Sequence, residues 1–250
     1  MPKGKKYLKS FLLILLLLDI GVFTFSHFQK SNLPKEQNIE SLLLQDPVQE
    51  ELDMEAFTIQ KEDSTYTLNP KYTYDLWGLV VADYNSESWM DISHEYDPLN
   101  TKDLCTIWGE NLSTSVYEQM KYSHGEWTCW AEFKPNTNST WYEKFNPAQL
   151  SNNHLLPSND EIYEEVKNTH IGDQVHLKGY LVDYSIETPD GKTGTRETST
   201  IREDSGCEII YVTEFEVLEK GNTQMLLLNT ISKYLIPIFL ILLIISIFLL

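Results

Sequence analysis

Arginine is nearly missing from this chain. Only Arg196 and Arg202 occur in 250 residues, and Lys and Arg together number 19 against 37 Asp and Glu, a net charge of −18. Such a surface does not neutralise phosphates, so nucleic acid is excluded as a partner. The short motifs that announce common chemistries are also missing. There is no Walker loop, GxSxG, HExxH or CxxC, and no EF-hand spacing of carboxylates. No cofactor is expected and no single enzyme class is indicated. Cysteine is scarce: Cys105, Cys129 and Cys207 make an odd set, which allows one internal bridge and leaves one thiol over. Three pairings are open, and Cys129 with Cys207 is expected because both fall in predicted strands near aromatic residues.

Two long apolar runs stand at the ends. Ser10 to Phe28 holds 19 residues, close to the ~20 that a helix needs to cross a bilayer core. Lys3, Lys5, Lys6 and Lys9 precede it with no acidic residue among them, which places residues 1–9 on the cytoplasmic side. A cleaved signal peptide is the alternative, with Thr24 and Ser26 as a small-x-small pair. Asp19 interrupts the run. Its cost of about 2.5–3.5 kcal/mol at a bilayer centre is outweighed by the Leu and Ile residues before it, and neither run offers a partner charge. At the other end, Tyr234 to Leu250 contains no charge in 17 residues, and the run reaches back to Met225. Pro237 is expected in the first turn of this second helix, where a missing N–H does least harm. The expected organisation is a basic tail 1–9, a transmembrane helix or signal anchor 10–28, a linker 29–56, a domain 57–222 and a second transmembrane helix 225–250. Whether or not the first helix is cleaved, the domain is exported; with both helices kept, the chain is a multi-pass protein of the cell inner membrane with its large domain extracytoplasmic.

Between the two apolar runs the charge is near −22, and all six Trp fall between Trp77 and Trp141. The pattern there is mainly β. Tyr72–Tyr84 is rich in aromatic and branched residues. Leu104–Trp108 and Trp127–Phe133 are shorter candidates. Gln174–Tyr184 alternates, with Val175, Leu177 and Leu181 on one face. A Pro-Asp-Gly turn at 189–191 leads to Thr193–Ile201, and Cys207–Leu218 ends the set. Ser158 and Glu161 match a capping box for one helix, with Ile162 and Val166 on its buried face and Gly172 to terminate it. The fold class is therefore an antiparallel sheet or OB-like barrel with one capped helix, flanked by two transmembrane helices.

Three clusters carry the available chemistry. Asp91, His94, Asp97 and Asp103 lie close in sequence, and carboxylates with an imidazole suit a metal (Asp91, His94, Asp97) or acid–base work; solvated acidic loop is the simpler reading. Ser151, Asn152, Asn153 and His154 follow, read as amides that hold a turn, with His154 a base beside Asp91 or Asp103 if the fold brings them together. Arg202 with Asp204 or Glu208 forms an internal ion pair or a carboxylate clamp. Asn111 and Asn138 fit glycan acceptor motifs.

Asp103, Cys105, Trp108, Gly109 and Asn111; Ser151 to Leu155; Gly172, Asp173, Val175 and Gly179; and Thr198, Ser199, Arg202, Asp204, Cys207 and Glu208 together resemble a family of bacterial envelope proteins with no assigned activity. The likeness covers roughly residues 66–217 and departs at the shorter stretch between Asp204 and Cys207. It implies an envelope location and one coherent domain, and no reaction. The expected function is a membrane-anchored extracytoplasmic binding module with a protein partner in the envelope, held to the lipid bilayer by two helices. The alternatives are a membrane-tethered hydrolase or metal-dependent enzyme using His94, His154 and Asp103, and an accessory subunit of a membrane complex.

Overall fold

A computed structural model describes residues 3–94, 97–202 and 206–248. In chain order these form α1 (Lys3–Gln29), β1 (Val48–Glu51), β2 (Phe57–Lys61), β3 (Ser64–Asn85), β4 (Lys102–Ile107), α2 (Glu110–Ser113), β5 (Met120–His124), β6 (Cys129–Phe133), β7 (Leu150–Pro157), α3 (Asp160–Lys167), β8 (Gln174–Glu187), β9 (Thr193–Arg196), β10 (Glu208–Glu219) and α4 (Thr223–Phe248). The terminal helices make one unit and Leu33–Lys220 the other.

The larger unit is built on alternation. Val175, Leu177 and Leu181 of β8 point one way, as the sequence pattern requires, and meet Tyr74, Leu76 and Val80 of β3 and Ile210, Val212 and Phe215 of β10. Pairing runs β3-β4-β7-β10-β8, and β8 pairs back onto β3, so five strands close into a barrel. All neighbours are antiparallel except β7 and β10, which run parallel, and α3 lies between β7 and β8 in the chain, packing Ile162 and Val166 on the barrel core. This is an OB-like barrel. Gly179 has a steric reason: a Cβ there would sit 2.1 Å from the Tyr211 carbonyl oxygen. Register shifts at Pro70/Tyr72 and Val80/Ala82 of β3 mark bulges that bend this 22-residue strand around the barrel.

Two further apolar clusters coat the outer face. One holds Leu79, Val81, Cys105, Ile107, Leu112 and Tyr117 with Leu43; the other holds Tyr66, Leu68, Leu156, Val182, Tyr184 and Ile209. Leu43 lies in the stretch 29–56 expected as a linker. It is fully buried, and its carbonyl accepts from Gly109 N at 2.9 Å, while Gln174 bonds Asn38 and Glu40. From Leu33 onward this stretch is part of the domain.

Local expectations needed correction at α3. Its N-cap is Asn159, whose side chain accepts from Ile162 N at 3.0 Å, and not Ser158. The helix ends at Asn168, and Gly172, at φ 94°, forms the turn into β8.

In the smaller unit α1 and α4 are both long and apolar enough to cross a membrane, over Tyr7–Gln29 and Thr223–Phe248. At 1.5 Å per residue these reach about 34 and 39 Å, against a ~30 Å hydrocarbon core. Ser232 Oγ donates to Asp19 Oδ1 at 2.7 Å, and Asn229 Nδ2 donates to Ser26 Oγ at 3.3 Å. Partner numbers fall as α1 numbers rise, so the helices are antiparallel. These four polar side chains are buried between the helices, while Phe11, Leu17, Phe25, Ile241 and Phe248 point outward. Asp19 thus has a polar partner that is uncharged. Because α4 begins at Thr223, Pro237 lies in the helix interior and not in the first turn, where it withholds one backbone N–H.

Candidate functional site

The strands β4 and β7 bring the sequence candidates together on the outer face of the barrel. Their register sets Asp103 opposite His154 and Cys105 opposite Asn152, and β3 adds Tyr84 opposite Asp103. Residues 151–154, read as a loop, are strand. Alternation sends Asn153 inward, where its Nδ2 donates to Leu104 O at 3.0 Å, Thr106 Oγ1 at 3.0 Å and Ser151 Oγ at 2.9 Å. Asn152 and His154 face outward beneath the β3–β4 loop and the β5–β6 turn.

His154 is held on both sides. Its Nδ1 lies 2.6 Å from Asp103 Oδ1, yet neither atom makes an aligned hydrogen bond, so this is a close contact off the ring direction. Arg196 donates to Nε2 at 2.9 Å, which places the ring proton on Nδ1. Burial, with help from the Arg196 charge, holds His154 below its usual titration range against the opposing pull of Asp103. Arg196 also stands 4.0 Å from Asp97 Oδ2 and 5.4 Å over the Trp127 ring. Asp97 in turn accepts from Tyr66 OH at 3.0 Å and from Tyr184 OH; burial and this carboxylate push both phenols far above their ordinary values.

The β3–β4 loop supplies a second pair. Asp91 Oδ1 accepts from the backbone of Ser93 and His94, and Oδ2 lies 2.8 Å from His94 Nδ1. These bonds, and those from Tyr84, keep Asp91 below its usual value although burial acts the other way. The His94 ring packs 4.7 Å from Trp127. His124 bridges Gly125 O at 2.7 Å and Asn152 Oδ1 at 2.6 Å. Asn152 Nδ2 donates to Cys207 Sγ at 3.2 Å and to Trp127 O at 3.2 Å. Burial raises the Cys207 thiol, so it stays protonated and weakly nucleophilic.

The expected bridge is corrected here: Cys129 is bonded to Cys105, and Cys207 is the free thiol. The antiparallel β5–β6 hairpin carries Cys129 over β4, whereas Cys207 sits on the far side of β7. Arg202 donates to Pro47 O at 2.6 Å and lies 3.9 Å from Asp46, neither of which was expected; of its expected partners Asp204 and Glu208, Asp204 lies outside the described residues. Asn111 is fully buried, bonded to Asn146 O at 2.8 Å, and is closed to glycan attachment in the folded chain.

His94 and His154 share the region around Trp127, but each is paired with its own aspartate, and no contact joins the two rings. Among the described residues no three His, Cys, Asp or Glu converge to hold a metal ion. Sequence reasoning missed Arg196, His124, Trp127, Tyr66 and Tyr184. The only available signal was the rarity of arginine, and it drew attention to Arg202 instead.

Beside this cluster the β3–β4 loop roofs a cleft of about 470 Å³ lined by Ser86, Asp91, His94, Asp97 and Asn100 together with Lys61, Glu62, Glu87 and Tyr163. Ser86 Oγ, His94 Nε2 and both amide atoms of Asn100 are buried without a hydrogen-bond partner among the described residues. No family model, no curated protein and no solved structure matches this chain.

Proposed function

We propose that this chain is a membrane-anchored binding module of the cell envelope. In this reading α1 and α4 cross the inner membrane, both termini lie in the cytoplasm, and the barrel domain is extracytoplasmic and engages an envelope partner through its β4–β7 face and adjoining loops. The antiparallel helix pair supports it most directly, with polar residues paired inside and apolar ones outside. Antiparallel packing also brings the two domain-side helix ends to one side, and the N-terminal lysines favour the cytoplasm for the other. The Cys105–Cys129 bridge fits an oxidising compartment.

Binding is favoured over catalysis because no candidate base stands against a nucleophile among the contacts of the described residues. His154 accepts from Arg196 at Nε2 and only faces Asp103 at Nδ1, His94 Nδ1 is tied to Asp91 while its Nε2 meets no hydroxyl or thiol, and the Cys207 thiol has no base among its contacts. The β3–β4 loop meanwhile exposes Trp89, Met90 and Ile92, side chains suited to an interface. A role as accessory subunit of a membrane complex is a form of the same reading.

The test is a photo-crosslinking residue placed at Trp89, Met90 or Ile92 of the full chain in living cells. A discrete higher-mass adduct, lost when the crosslinker is moved off this loop to the exposed Glu214 of β10, is expected. Hydrolysis of chromogenic ester, phosphate or glycoside substrates that disappears in His154→Ala would overturn the reading in favour of an enzyme.

A further inference from the structure

We propose that the cleft under the β3–β4 loop is a binding site for a neutral polyhydroxylated ligand of the saccharide class, gripped by Ser86, His94 and Asn100. The proposal rests on the binding-module reading and assigns it a ligand chemistry. It begins with the polar atoms left over. Ser86, His94 and Asn100 are at most 7% exposed, each lines the cleft, and Ser86 Oγ, His94 Nε2, Asn100 Oδ1 and Asn100 Nδ2 have no partner among the described residues. Four such atoms around one cavity mark a place where hydrogen bonds are meant to be completed.

The chemistry of the completing group follows from what these atoms offer. Asp91 engages His94 Nδ1, so Nε2 is the ring atom left for a ligand, as acceptor or donor. Asn100 offers both a donor and an acceptor, and Ser86 offers either. A ligand hydroxyl donates and accepts at one atom and satisfies all of them.

Charged ligands fit less well. The carboxylates in the wall are largely engaged: Asp91 with His94 and two backbone amides, Asp97 with two tyrosines, Glu87 with Tyr163 OH at 2.9 Å and Lys167 at 3.5 Å. An organic cation would also need an aromatic face, but the Tyr163 ring already has Lys61 and Lys167 at 5.0 and 4.9 Å. An anion would meet Glu62, Glu87, Asp91 and Asp97. At about 470 Å³ the cleft is within the range of small-ligand sites.

The experiment is saturation-transfer NMR on the full chain in a phosphocholine detergent, which carries no sugar headgroup. The probes are glucose, N-acetylglucosamine and diacetylchitobiose, with ethanolamine and glucuronate as the charged comparators. At least one neutral sugar is expected to bind with a Kd on the order of 1 mM or tighter. Asn100→Ala should weaken it about tenfold and Ser86→Ala about threefold, as lost hydrogen bonds do, while Tyr142→Ala on the open surface changes nothing. Chitobiose binding more tightly than the monosaccharides would further support the site and point to a glycan strand as its source.

Absence of sugar binding, sugar binding indifferent to both cleft variants, or preferred binding of ethanolamine or glucuronate would overturn the proposal. Unchanged tryptophan emission and unfolding midpoint in Ser86→Ala keep that variant informative should Asn100→Ala fail to fold. A crosslinked partner at the loop tip with no sugar bound would leave the binding-module reading standing and remove this one alone.

Discussion

His154 is the residue at which pairing, burial and charge meet. Its neighbour Asp103 could be named in advance as a partner conditional on the fold, because both were polar residues with no local explanation. Arg196 could not. It sits in a short strand among Thr, Gly and Glu, and nothing nearby in sequence shows that β9 will lay it against β7. The energetic consequence can be tested through pH. The folded-state value of His154 is depressed below the ordinary 6.5 of a free imidazole. Above 6.5 both states carry a neutral ring, and the contribution is fully present. Below it the unfolded chain takes up the proton first, so stability is lost as pH falls toward the folded value. The loss reaches up to about 1.4 kcal/mol per pH unit. Denaturant unfolding of the protein, followed by tryptophan emission between pH 8 and 5, should show this decline. In His154→Gln, where no ring titrates, the decline should be shallower by that amount; parallel curves for the two proteins would refute the assignment.

Strands differed in how plainly the sequence announced them. The alternation of β8 is easy to read because every second residue enters the barrel core and is apolar. The β7 strand was hidden because its inward positions include Ser151 and Asn153, which satisfy each other and Thr106 inside the barrel. A run of Ser, Asn, Asn and His looks like a turn unless one knows that half of it bonds within a core. The parallel pairing of β7 with β10 is likewise invisible locally, since it depends on α3 and β8 intervening. Gly179 is the point in β8 most sensitive to change. A methyl group there would collide with the Tyr211 carbonyl oxygen and lie 3.1 Å from Val212 Cα, both backbone of the neighbouring strand. Gly179→Ala should therefore cost more than about 2 kcal/mol, seen as a lowered unfolding midpoint. Gly191→Ala, in open space but at φ 75°, should cost only about 1 kcal/mol. Equal small losses would show that β8 and β10 can separate without penalty.

At the scale of the whole chain, charge and hydropathy located the two terminal helices and the acidic β-rich body between them. They did not reveal where the body begins. The polar composition of 29–56 resembles a linker, yet a few apolar residues, Leu33, Ile39 and Leu43, suffice to pin it to the barrel. Nor did they show that Asp19 and Ser232, and Ser26 and Asn229, would pair across the helices, because the match depends on antiparallel register.

The central claim is that both helices cross the membrane and export the domain between them. Two alkaline phosphatase fusions measure this directly, one joined after Gly221 with the domain intact and α4 removed, the other joined after Leu250. The account predicts an active enzyme at the first position and an inactive one at the second; inactivity after Gly221, or activity after Leu250, would contradict it.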